Sequence, residues 1–170
     1  MALVIREIEI DDATAYLNFL NTLDHETRFL LFEPGERGDD AEAQAEKIKA
    51  MKRDGVSTIF IALAQEAIIG FAAVSGNGLQ RVKHRASVVV GILAAHRGMG
   101  WGKRLLLQAE EWAAKRGILR LEATVAMQNT DALWLYSGLG YHVEGIRRRA
   151  RFVDGQYVDE FYMSKMLRPD

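Results

Sequence analysis

The run RASVVVGIL, Arg85 to Leu93, leads directly into AAHRGMGWGKRLLLQAEEW, and that junction restricts the fold more than any other stretch. A continuous apolar run rich in valine predicts a central strand with both faces covered, because an alternating pattern would leave one face wet. Glycines at positions 98, 100 and 102 then bare the backbone. The residues after them have helical spacing and predict a helix from about Gly102 to Arg116, closed by Gly117. A buried strand that turns through glycines into a helix belongs to a layered α/β architecture.

The remaining segments fit the same layers. Leu3 to Ile10 alternates and predicts a first strand. Asp11 or Asp12 is placed to cap a helix that buries Ala15, Tyr16, Phe19, Leu20 and Leu23. After a loop marked by Pro34, Gly35 and Gly38, Asp39 or Asp40 starts a second helix, carrying Ala41, Ala45, Ile48 and Met51 inward and stopping at Asp54-Gly55. STIFIALA and AIIGFAAVS read as a hairpin turning at Gln65-Glu66. ILRLEATVAM predicts a strand, and Asn129, Thr130 and Asp131 cap a helix ending at Leu139-Gly140. The closing strands turn at Asp154-Gly155, a strong hairpin signal. The order is β-α-α-β-β-β-α-β-α-β-β. Because of the last hairpin, the expected fold is a mixed, mostly antiparallel α/β sheet flanked by helices, in one domain over residues 1–170.

A net charge of −1 supplies no field that would draw the chain to nucleic acid or a membrane surface. RRRAR, Arg147 to Arg151, lies in an expected strand without interleaved aromatics, so a solvated hairpin or subunit contact is expected there. No apolar run reaches the roughly 18 residues of a membrane span. The lack of a signal peptide favours the cytoplasm. The chain has no cysteine, which removes disulfides, thiolate metal sites and a cysteine nucleophile together. His25, His84, His96 and His142 have no metal-ligand spacing, and no metal is expected.

The glycines suit an anion. A helix start exposes unpaired N–H groups with partial positive charge, and glycine lets a phosphate approach them closely. Arg97, Lys103 and Arg104 add formal charge at the same point. The two familiar phosphate motifs fail on spacing. A Walker A loop ending at Gly102-Lys103 needs Gly at 97 and Ser or Thr at 104, where Arg97 and Arg104 stand. A dinucleotide fingerprint begun at Gly98 meets Lys103, and one begun at Gly100 meets Leu105.

VVVGILAAHRGMGWGKRLL resembles the CoA-binding motif of the GNAT family of N-acetyltransferases, R/Q-x-x-G-x-G/A after a strand, with Arg97, Gly100 and Gly102 at its fixed positions. NTDALWLYSGLGYHVEG resembles that family's N-x-x-A-x-x-L-Y-x-x-x-G-F/Y block through Asn129, Ala132, Leu135, Tyr136, Gly140 and Tyr141. The closing hairpin and RFLLFEPGE are similar to the subgroup related to ribosomal-protein and amino-acid acetyltransferases, and acceptor contacts are expected from the first helices, the loop ETRFLLFEPGERG with Glu26, Arg28, Glu33, Glu36 and Arg37, and the last hairpin. The resemblance implies acetyl transfer from acetyl-CoA to a primary amine, either a small molecule or a protein N-terminus, by a homodimer. It implies that Val90, Gly91 and Ile92 meet the pantetheine arm. It places the pyrophosphate on Arg97, Gly98, Met99, Gly100, Trp101, Gly102 and Lys103. Asn129 would bond the pantetheine, and Tyr136 would protonate the leaving thiolate. Many relatives carry a carboxylate on the strand before the glycine loop; from Arg85 to Leu93 this chain has none, and only Ser87 and His84 are polar nearby.

Overall fold

The computed structural model describes residues 3–168, and the order of its elements is the one expected. The strands are β1 (Leu3–Glu7), β2 (Thr58–Ala64), β3 (Ala67–Ser75), β4 (Arg85–Ile92), β5 (Arg120–Ala126), β6 (His142–Val153) and β7 (Gln156–Met166). The helices are α1 (Ala13–Glu26), α2 (Ala41–Asp54), α3 (Trp101–Lys115) and α4 (Thr130–Gly138). The strands form one sheet in the order β1-β2-β3-β4-β5-β7-β6. Every neighbouring pair is antiparallel except β4 with β5.

Each face of the sheet has its own core. On one, α3 buries Leu105, Leu106, Ala109 and Ala113 completely against Ala72, Val88 and Leu121. Each such leucine contributes about 1.5–3 kcal/mol by leaving water. On the other, Tyr16, Phe19, Leu20 and Leu23 of α1 and Ile48 of α2 cover Ile61, Ile68 and Phe71. Tyr16 and Phe19 both meet Phe71 edge-on.

Helix ends follow the expected chemistry with one exception. Asp40 takes the Ala43 N–H at 2.9 Å, and Gly55 ends α2 at φ 71. Asp12 stands before α1 but makes no side-chain cap. Its carboxylate instead holds Arg6 at 2.7 and 2.9 Å and the Glu9 N–H at 2.7 Å, tying a short 3-10 turn to β1. Ala15 is exposed, contrary to expectation, and Ala13 and Leu17 complete the buried face.

The largest departure concerns β4. It is central, as expected, but it is not covered on both faces: Ala86 and Val88 are buried while Val89 is 40% exposed. That face is open along the strand, since Arg85 and Ser87 are exposed even where they pair with β5. β4 meets β5 only from Arg85 to Ser87, opposite Arg120 to Glu122. Beyond Ser87 the two strands part, and the chemistry gathers in that fork.

Candidate active site

Antiparallel pairing points each residue's N–H and C=O to the same side and alternates that side along the strand. The Leu93 N–H bonds the Ile69 carbonyl on β3, at 2.9 Å. Gly91, opposite Phe71, therefore also faces β3, while Val90 and Ile92 turn their main-chain groups toward the fork. Arg97 reaches back there and donates from Nε to the Ile92 carbonyl at 3.0 Å. Val90 is left with both main-chain groups aimed into the gap. Gly91 has a different reason to be glycine: a Cβ there would stand 2.7 Å from Leu23 Cδ2 and 2.8 Å from Phe71 Cε1. It lines the cleft, but its main chain belongs to the sheet and its missing side chain to packing under α1.

The fork opens into a cleft of about 850 Å³ running from the glycine loop past Asn129 and Tyr136 to the start of the α1–α2 loop. Gly98 and Gly100 have φ of 74 and 84, the left-handed region, and a Cβ on either would meet nothing within 4 Å. Open space where side chains are missing suits close approach of a large anion. Gly100 is the residue before α3, so the first N–H groups of that helix face the same space. Gly102 is different again, because its Cβ would lie 3.0 Å from Leu135 Cδ2, and it keeps α3 close to α4.

Of the expected cofactor residues, Val90, Gly91, Ile92, Arg97, Gly98, Gly100, Trp101, Gly102, Lys103 and Asn129 all line the cleft. Met99 does not; it is 66% exposed at the outer side of the loop. Arg104 also lies outside, with its guanidinium 5.1 Å from the Trp101 ring. Trp101 itself is buried in the core as well as lining the cleft. Asn129 caps α4 through Oδ1, which takes the Ala132 N–H at 3.3 Å, and its Nδ2 remains for a ligand.

Tyr136 lines the cleft and is otherwise buried, packed edge-on against Tyr141 with ring centres 5.1 Å apart. Burial holds its phenol well above the ordinary value of 10, so it stays protonated through the neutral range.

Sequence reasoning placed Glu26 and Arg28 in the loop that would meet the acceptor, and both line the cleft; it did not single out His96 or Asp131 as cleft residues. Ser87 and His84 lie outside the cleft, whereas Glu26, His96 and Asp131 bring titratable side chains into it. Glu26 takes the Ala94 N–H on Oε2 at 2.7 Å, a contact across 68 positions that no local spacing reveals. Among the described residues, no group of three His, Cys, Asp or Glu side chains could hold a metal ion.

With this geometry in view, the relatives can be compared. The family model described as Acetyltransferase (GNAT) family matches residues 19–141, and the chain belongs to that family. Among characterised proteins, it is similar to the N-alpha-acetyltransferase RimI of Mycobacterium tuberculosis, 33% identical over 88 residues. That match covers 52% of this chain and spans about half of RimI's own length, 54%. A solved GNAT-family acetyltransferase from Streptococcus pneumoniae superposes with a TM-score of 0.94 at 27% identity, over 98% of this chain and 100% of that one. The fold also matches yncA of Salmonella typhimurium, solved with acetyl-CoA, with a TM-score of 0.87 at 20% identity. That match covers 99% of this chain and 95% of yncA.

Proposed function

We propose that the chain is an acetyl-CoA-dependent N-acetyltransferase, one domain over residues 1–170, acting on a primary amine. An amino acid, a small amine or a protein N-terminus would serve as acceptor. The observation that carries this reading is that three parts open into one cleft: the helix-start loop at Gly98 to Lys103, the unpartnered main chain of Val90, and the Tyr136 hydroxyphenyl. RimI, an N-alpha-acetyltransferase by name, and yncA, solved with acetyl-CoA, support the same chemistry.

The bound thioester supplies an activated acyl carbon. The N–H groups at the start of α3, with Lys103 and Arg97, neutralise the pyrophosphate. Val90 accepts a pantetheine amide N–H on its carbonyl as a neighbouring strand would, and its N–H stabilises charge developing on the acyl oxygen. Asn129 adds a side-chain donor. The neutral amine attacks the acyl carbon, the C–S bond breaks, Tyr136 passes its proton to the sulfur, and the proton shed by the acylated nitrogen returns through solvent to the tyrosinate. A phenol with a raised pKa is a weak acid in water, but the departing thiolate sits in the same low-dielectric site and its proton affinity rises with it. With no cysteine in the chain, no thiol can carry the acyl group, and direct attack is the simplest route.

The reading includes a cytoplasmic homodimer joined through the β6–β7 hairpin, where Val143, Ile146, Phe152 and Tyr157 are exposed. Among the described residues no helix is long and apolar enough to cross a membrane.

The test is calorimetric titration with acetyl-CoA, wild type against Gly100→Val. A branched residue at φ 84 strains the loop and fills the open space beside the helix start. Binding should be lost in a variant that keeps its circular dichroism. Unchanged affinity in the folded variant would remove the loop from the site.

A further inference from the structure

The segment from Glu26 to Phe29 lines the α1 side of the cleft and is tied at both ends. At the β4 end, Glu26 holds the Ala94 N–H at 2.7 Å. At the β6 end, Arg151 donates from Nη1 to the Phe29 carbonyl at 2.8 Å.

Arg151 is itself anchored. Its Nε bonds Glu160 of β7, a carboxylate only 1% exposed, and Arg147 reaches the same carboxylate at 3.4 Å. A charge that deep persists only when paired, and breaking such a pair is costly, so Glu160 fixes where Arg151 can stand. The hairpin is shaped to allow this. Its register shifts between Arg147 and Arg151, with Arg149 at φ 49 and its N–H on Asp159 Oδ1 at 2.7 Å. Arg147 and Arg151 thereby address one partner, which simple alternation along a strand would not give at that distance.

Further along, the base of the loop is closed as well. Arg37 pairs with the buried Asp24 at 2.5 Å, and Asn21 Nδ2 donates to the Gly38 carbonyl at 2.9 Å. Phe29 and Leu30 line the cleft together with Leu23 and Val89. The α1 side of the cleft is thus walled by a segment bonded to the β4 end and to β6. A polypeptide acceptor would have to lay several residues past that fixed wall, whereas a compact amine needs no such path.

Building on the acetyltransfer reading, we propose that this strap restricts the acceptor to a compact free amine, with Arg151, held by Glu160, as a positioning residue for acceptor binding. The probes are the twenty L-amino acids and, for whichever is turned over fastest, the tetrapeptide beginning with that residue. Wild type should favour the free amine by roughly tenfold or more in kcat/KM, a discrimination one blocked path can supply. Arg151→Lys keeps a cation beside Glu160 but cannot also reach Phe29. It should raise KM for the free amine roughly tenfold and narrow the preference, with kcat and the acetyl-CoA KM within about threefold of wild type. Equal or better use of the tetrapeptide by wild type overturns the proposal. So does an Arg151→Lys protein whose amine and acetyl-CoA constants move together, as a merely structural role would make them. If that variant fails to fold, the wild-type preference decides alone. Failure to bind acetyl-CoA would defeat the acetyltransfer reading itself, and binding without turnover of either probe class would overturn both.

Discussion

Tyr136 carries the most specific of the proposed roles. Its place in the second motif implied a proton donor, and its burial beside the cleft keeps the proton on the phenol at neutral pH. Tyr136→Phe retains the edge-on contact with Tyr141 and removes only the hydroxyl. The expected result is a fall in kcat of roughly 10²-fold, with acetyl-CoA affinity unchanged by titration. Loss of affinity in step with kcat would make it a binding residue instead. Other residues were legible by type but not by reason. Gly91 looked like a ligand position and is demanded by Leu23 and Phe71, and Gly102 is set against Leu135. A glycine in a motif shows that something comes close, and only the fold shows what.

At the level of strands and helices, the order was readable because periodicity, caps and turn residues act locally. Asp40, Gly55, Gly117 and Asp154-Gly155 did what their chemistry dictates. The exposure of Ser87 and Val89 was not readable, because which face of a strand its neighbours cover is settled by tertiary packing. The register shift at Arg147 to Arg151 was hidden for the same reason, since its partners Glu160 and Asp159 lie on another strand. The β2–β3 turn shows a local rule overridden. Gln65 and Glu66 have φ of 49 and 68, the mirror-image turn that favours Asn-Gly. Holding two ordinary side chains in that region carries a cost, so the double change Gln65→Asn and Glu66→Gly should stabilise the fold by roughly 1 kcal/mol. A thermal melt shows this as a higher Tm; an unchanged or lower Tm would mean the turn is relaxed as it stands.

The far edge of the sheet governs how the protein as a unit responds to acid and to its own kind. Glu144 on β6 takes Arg120 Nη1 at 2.7 Å and the Ser164 hydroxyl at 2.6 Å, and these partners lower its pKa from 4.5 to about 2. A carboxylate lowered on folding contributes stability above its unfolded pKa and loses it as pH falls through the folded value. The contribution is therefore full above about pH 4.5 and disappears toward about pH 2. Urea midpoints of wild type and Glu144→Gln should differ at neutral pH and converge across that window. A gap independent of pH would exclude the linkage. The same hairpin carries the proposed dimer contact, so light scattering at micromolar concentration should give twice the 19.1 kDa chain mass; a monomer alone would remove the dimer.

The central claim is acetyl transfer to an amine in the β4–β5 fork. Its most direct test is release of free CoA thiol from acetyl-CoA across an amine panel, with the acylated amine weighed by mass spectrometry. The account predicts amine-dependent thiol release matched one for one by N-acetylated product. Tight acetyl-CoA binding with no amine-dependent release would contradict it and leave a CoA-binding module in its place.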